Sequence, residues 1–104
     1  MRKSKISISG FKIGTAENRE GLTGVTVILA PDGGATAGVD VRGCAPGTRE
    51  TDLLDPRKTV QKIHAVVLSG GSAFGLEAAS GCVKYLAEQG VGFPIGNVCV
   101  PIVC

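Results

Sequence analysis

The stretch that most constrains this chain is residues 62–90, KIHAVVLSGGSAFGLEAASGCVKYLAEQG. It predicts a strand, a tight glycine turn and one long helix. Ile63, Ala65 and Val67 alternate with His64, Val66 and Leu68, and the apolar run stops at Ser69. Gly70 and Gly71 supply the turn, because a backbone without Cβ can double back. Ser72 is placed to cap the helix by accepting from the free amides of its first turn. Leu76, Ala79, Val83 and Leu86 then share one helical face, with Ala78, Cys82 and Tyr85 beside them. Gly90 is the expected left-handed stop. A strand running through Gly-Gly-Ser into a helix aims several amides at one point, where anions, carboxylates and oxyanions bind.

At 104 residues the chain is one domain or part of one, long enough to bury roughly two thirds of its unfolded surface. Sixteen glycines against three phenylalanines, one tyrosine and no tryptophan favour tight turns over a core of large rings. The net charge of +2 gives no basic footprint for nucleic acid. The one basic cluster, Arg2, Lys3 and Lys5, lacks an aromatic platform. No apolar stretch follows it, so no signal peptide is expected. Apolar runs such as residues 27–30 fall far short of the ~20 residues that cross a bilayer. The expected compartment is the cytoplasm, with no membrane partner. Cys44, Cys82, Cys99 and Cys104 form no C-x-x-C pair, and His64 is the only histidine. Neither a metal site nor a disulfide framework is expected, and the thiols read as reduced, mostly buried small hydrophobes.

Residues 6–9 alternate as a short strand that Gly10 interrupts and residues 11–13 resume past a bulge. Residues 14–24 are polar and glycine-bounded, hence a loop. Residues 25–30 are dominated by β-branched side chains and form a strand. Pro31-Asp32-Gly33-Gly34 is a turn, and residues 35–42 alternate again, so a β-hairpin is expected over about 25–42. Residues 43–49 are a loop. Asp52 caps a single turn through Leu53 and Leu54, ended by Asp55-Pro56. After the long helix come residues 91–93, a turn at Pro94 and an apolar run over 98–103, in which Pro101 marks an edge strand or a strand start. An apolar run at the C-terminus leaves an open edge, and the mean hydropathy is +0.26. Both are expected of a fragment of a larger fold or a subunit with an obligate partner.

Four readings compete for the turn at residues 69–75. A nucleophile elbow fails, because Phe74 stands where the second glycine is needed around Ser72 and Val67 where the first is needed around Ser69. His64, on the adjoining strand, is badly placed to serve as base. A dinucleotide fingerprint needs glycine where Ser72 stands, and no acidic residue ends a second strand about 20 residues on. Two readings remain. The turn amides and the Ser69 and Ser72 hydroxyls wall a substrate pocket whose nucleophile comes from elsewhere, or the glycines only let the helix pack closely on the sheet. The residues alone favour close packing. In Thr48-Arg49-Glu50 the guanidinium fork suits a carboxylate, although an exposed pair of this kind is more often a weak ion pair. His64 reads as a hydrogen-bonded structural residue. The candidate pocket residues are therefore Ser69, Gly70, Gly71, Ser72, Arg49 and Glu50.

Three blocks carry more than local physics: GLTGVTVI at 21–28, DVRG and APGTRETDLL within 40–54, and VVLSGGSAFGLEAA at 66–79. With VPIV at 100–103, they closely resemble the opening of the P1 family of peptidases. That is the L-aminopeptidase/D-esterase family, which includes β-peptidyl aminopeptidases and the nylon-oligomer hydrolase. The resemblance covers nearly the whole chain and corresponds to the N-terminal part of the family's α chain. It implies an N-terminal-nucleophile hydrolase: a precursor cleaves itself before a Ser or Thr, and the freed α-amino group then acts as general base. The implied fold is α+β, a two-sheet sandwich covered by helices, of which residues 1–104 form a single partial domain. The implied activity releases N-terminal residues from small peptides, amides or esters, without metal or organic cofactor. The implied partners are a small peptide or amide substrate, the rest of the α chain, the β chain and further copies in a homo-oligomer.

Family members are much longer than this chain, and their nucleophile and oxyanion-stabilising residues fall beyond the position of Cys104. No catalytic residue is therefore assigned in this chain, Ser69 and Ser72 are not taken as nucleophiles, and the segment alone is expected to be inactive. Cys44 departs from the glycine common at its position, which puts the conformation of that loop in question. The residues also suit a rival reading: a non-catalytic anion-binding or structural module built on the Gly70-Gly71-Ser72 turn.

Overall fold

A computed structural model of the chain describes residues 7–104 as an α+β unit with two antiparallel sheets and one α-helix. The main sheet has the order β1 (Lys12–Asn18), β2 (Thr23–Leu29) and β3 (Ala65–Ser69), antiparallel throughout. The other pairs β4 (Phe93–Ile95) with β5 (Val98–Val100). Arg2, Lys3, Lys5 and Ile6 lie outside the described residues, and Ser7 and Ile8 are not in a strand. The expected loop over 14–24 is instead mostly β1 and the turn into β2. That turn is held by Asn18, whose Oδ1 accepts from the Gly21 amide at 2.8 Å. β1 is exposed along its whole length. A strand with no buried face shows no apolar alternation, which is why its pattern reads as a loop.

The hairpin expected over 25–42 does not form. β1 occupies one edge of β2 and β3 the other, so no edge remains for residues 35–42. The Pro31–Gly34 turn is present, closed by the Gly34 amide on the Pro31 carbonyl at 2.9 Å. It directs Ala35 onto Ile63, each donating to the other at 2.9 Å, and the chain beyond runs irregularly over the surface. A single 3-10 turn follows at Thr51–Leu54. Its N-cap is the left-handed Glu50, not Asp52, and no side chain caps it.

After β3 the helix comes in two pieces. Ser72–Glu77 is a 3-10 helix, and α1 (Ala78–Glu88) continues it as an α-helix. Ser72 does not cap it: Gly71 is the N-cap, with no side-chain cap hydrogen bond. Gly90 ends α1 as expected, with φ +70°. The Val91 amide reaches back to the Leu86 carbonyl and the Gly90 amide to that of Ala87. This is the paired bonding of a left-handed helix stop. Pro94 lies inside β4 rather than at a turn, and residues 96–97 make the turn instead.

The core lies between the sheet and α1. Ala79, Cys82 and Leu86 from the helix meet Ala65 of β3 and Val103, with Val27, Leu29, Val67, Val83 and Val91 packed around them. The C-terminal segment completes this layer. It runs parallel to β3 along its outer edge, the Val67 amide donating to the Cys104 carbonyl at 2.7 Å and the Cys104 amide to that of Ala65 at 3.1 Å. Ile102 and Val103 are thereby buried. Among the described residues no helix is long and apolar enough to cross a membrane.

Candidate functional site

The turn between β3 and α1 is shaped by two close constraints. Gly71 and Ser72 both take left-handed backbone, with φ +95° and +58°. For a serine that conformation costs about 1–2 kcal/mol. Gly75 then lies against the end of β3. A Cβ there would overlap the Gly70 carbonyl oxygen and stand 3.1 Å from Ser69 Oγ, so only glycine fits. The turn's amides are partly used within the fold. Gly70 donates to the Gly24 carbonyl at 2.9 Å and Gly75 to that of Gly71 at 3.2 Å. Ser69 Oγ donates to the Gly70 carbonyl at 2.9 Å.

Several clefts touch this turn, and two of them divide the candidate residues. One, of about 230 Å³, lies between the 47–51 loop, the end of β3 and the start of the 3-10 helix, and includes Thr48, Arg49, Ser69, Ser72, Leu76 and Cys104. The other, of about 460 Å³, separates the turn from the β1–β2 end. Gly70 and Gly71 line it beside the exposed ring of Phe74. The candidates therefore divide. Of these two clefts, Arg49 and Ser72 line only the smaller, Gly70 and Gly71 only the other, and Ser69 lines both. Glu50 contributes backbone rather than its side chain: its carbonyl accepts from the Leu53 amide at 3.3 Å and from the Cys104 thiol at 3.7 Å. A larger cleft of about 610 Å³ lies between residues 36–39 and 51–63 and includes none of the turn.

Arg49 is half-buried, and its Nη1 donates to Ser80 Oγ on α1 at 2.8 Å. Burial pushes the Cys104 thiol up from its ordinary range, and the nearby Glu50 carboxylate adds to the effect. A thiol kept protonated is the donor that the Glu50 carbonyl meets. His64 is buried, and its Nδ1 accepts from the Ile102 amide at 3.0 Å. Burial lowers its pKa, so the ring is neutral with its proton on Nε2. It holds the C-terminal segment to β3 and does not reach a serine of the turn by any hydrogen bond among the described residues. Cys82 is a buried core thiol as expected, while Cys44 is exposed.

Ser80 and Cys104 escape a reading of the sequence. Ser80 looks like a small residue between Ala79 and Gly81, and its partner Arg49 is 31 positions away. Cys104 meets Glu50 across 54 positions. Only the parallel docking of the C-terminal segment beside β3 brings it to the cleft.

Residues 6–104 match the model of peptidase family S58. A protein from Mycobacterium tuberculosis named an uncharacterized aminopeptidase is 54% identical over 80 residues, which is 77% of this chain and 23% of that protein. A like-named protein of Mycobacterium leprae is also 54% identical over 80 residues, 77% of this chain and 22% of its own length. The 6-aminohexanoate-oligomer endohydrolase of Paenarthrobacter ureafaciens is 39% identical over 85 residues, 82% of this chain and 21% of that enzyme. The chain thus spans less than a quarter of the length of these curated relatives.

Proposed function

The chain belongs to peptidase family S58, and from that premise we propose that it is the opening segment of an N-terminal-nucleophile hydrolase. Its substrates are small peptides, amides or esters, from which it releases N-terminal residues after self-cleavage of a precursor. The carrying observation is the family match over residues 6–104, joined by relatives named aminopeptidase and oligomer endohydrolase. The nucleophile, a Ser or Thr freed at a new N-terminus, lies in the part of the protein that this chain does not span. Its own α-amino group takes the hydroxyl proton as the oxygen attacks the substrate carbonyl, then returns it to the leaving amine.

The chemistry of the described residues supports placing the nucleophile elsewhere. A serine nucleophile needs a base within hydrogen-bond reach. Ser69 donates to a backbone carbonyl, and the nitrogen His64 offers is already taken by the Ile102 amide. In this reading Ser69 and Ser72 help to wall the pocket, and Glu50 holds the loop through its carbonyl. Gly70 and Gly71 let the turn lie close to β2. The remainder of the α chain and the β chain complete a two-sheet sandwich, its second sheet packing on the face that carries Ile13, Ile28, Val66 and Leu68. The finished enzyme is a cytoplasmic homo-oligomer.

Two measurements test this. The purified chain alone, assayed against amino-acid p-nitroanilides, is expected to show no turnover; unaided hydrolysis would overturn the placement of the nucleophile. Joined to the matching remainder of the Mycobacterium tuberculosis relative, it is expected to self-cleave and expose a new N-terminal Ser or Thr, read by mass spectrometry. A fusion that folds by circular dichroism yet stays uncleaved and inactive would count against the hydrolase.

A further inference from the structure

Four arginines lie among the described residues, and three of them are paired and exposed. Arg19, Arg42 and Arg57 each hold a carboxylate at 2.7 to 2.9 Å, with side chains 85 to 89% accessible. Arg49 differs on both counts. It is half-buried, and no carboxylate among the described residues comes within 4.0 Å of it, although Glu77 lines the same rim. One of its five N–H donors is fixed by the neutral Ser80 hydroxyl. A partly desolvated cation held only by a hydroxyl lacks a counter-charge, and supplying one is favourable.

We propose that the Arg49 cleft is a carboxylate-binding site, and that its ligand is the terminal carboxylate of a short peptide or acylated amino acid. The choice of ligand rests on the hydrolase reading above; the geometry of the cleft does not. The guanidinium presents a planar fork that matches a carboxylate through two parallel N–H···O bonds. Ser80 pins one end of that fork and so fixes its orientation before a ligand arrives. Thr48, whose Oγ1 is hydrogen-bonded to Thr51 Oγ1 at 2.9 Å, and Ser72 line the same cleft, while Val67, Leu76 and Ala79 give it an apolar wall. One cation and a volume of about 230 Å³ suit a small monoanion with a short carbon chain. A phosphate dianion would call for more positive charge than the cleft contains.

Titration of the chain with N-acetylglycine, followed by amide and arginine side-chain NMR, tests the site without any assay of catalysis. Resonances of Arg49, Ser72 and Ser80 are expected to shift saturably, N-acetylglycinamide and inorganic phosphate to have at least tenfold weaker effect, and Arg49→Gln to lose at least tenfold in affinity. Ser80→Ala, which frees the fork but keeps the charge, is expected to lose less. Should Arg49→Gln not fold, Arg49→Lys is read by the same tenfold criterion, since it keeps the cation and removes the fork. No saturable shift, or equal shifts with the amide, would leave Arg49 as a latch between the loop and α1 and would overturn the proposal while the hydrolase reading stood. In the fusion described above, retained binding supports a free ligand. Binding lost there but present in the chain alone would overturn that assignment in favour of a carboxylate from the enzyme's own remainder.

Discussion

The two faces of the three-stranded sheet are built from similar residues and meet different surroundings. On one, Val27, Leu29, Ala65 and Val67 pack beneath Ala79, Cys82 and Leu86 of α1. On the other, the strand register sets Ile13, Ile28 and Val66 in one row, with Thr15, Thr26 and Leu68 in the next. Ile13 and Leu68 remain exposed there, and Ile28 and Val66 only half-buried. An apolar sheet face needs a second layer to exclude water. The described chain supplies one such layer and leaves the other face open. The covered face holds the core cluster of the described chain, and the open face is where the proposed remainder of the hydrolase would pack.

The sharpest way to break this comparison is to cut into the covered face. Leu86 is 4% accessible and touches both the cluster and the helix stop through Val91. Leu86→Ala is expected to cost about 2–5 kcal/mol, the range for a buried leucine whose cavity does not fully collapse. Chemical denaturation of the chain measures it. A loss below about 1 kcal/mol would mean that α1 is not the layer that stabilises the sheet.

A smaller effect tests the strand edge that closes the same face. The Ile102 amide donates to neutral His64, and protonating Nδ1 would remove that acceptor. In the unfolded chain the imidazole titrates near its ordinary 6.5, and in the fold burial holds it lower. Above pH 6.5 both states are neutral and the contribution is constant. Below it the unfolded state takes up the proton first, so stability falls with a limiting slope of about 1.4 kcal/mol per pH unit. That loss continues until the folded-state value is passed. Asp55, drawn down to about 2 by hydrogen bonds from Arg57, acts only below its ordinary 3.8, so the two windows are separate. Denaturation midpoints between pH 7 and 5 should fall for the wild type and flatten for His64→Gln. Parallel profiles would show that His64 does not carry the acid sensitivity of this edge.

How much of this was legible in the sequence follows the same division. The covered face was readable: β2 and β3 announce themselves by β-branched runs, and α1 by its apolar spacing and Gly90. β1 was readable only at its start, Lys12 and Ile13, because both its faces are exposed and Lys12, Gly14 and Ala16 alternate with Ile13, Thr15 and Glu17 without a consistent apolar side. The false hairpin at 25–42 arose from the same gap. With the rest of β1 unmarked in the sequence, β2 has a free edge there for the alternating residues 35–42. At the turn, Gly-Gly-Ser has the letters of a cap, but Ser72 takes left-handed backbone and Gly75 lies against Gly70, a turn geometry that the residue types alone do not specify. Arg49 was singled out for its chemistry. Its pairing with Ser80 depends on where the loop lands on α1, which no local pattern encodes.

The smallest expected effect is the most telling about the open face. Leu68 is 59% accessible and lies in β3, next in sequence to the half-buried Val67 of the covered face. If nothing within the chain covers it, Leu68→Ser should change unfolding stability by no more than about 0.5 kcal/mol, as surface substitutions do. The same change removes a large side chain from an exposed apolar patch, so it should lower self-association at high concentration, read by analytical ultracentrifugation. In the fusion with the relative's remainder the stability effect should grow, because there the proposed second sheet buries that side chain. A loss in the isolated chain comparable to that of Leu86→Ala would mean that both faces are already packed. An unchanged small effect in the fusion would mean that the second layer of the hydrolase lies somewhere other than on this face.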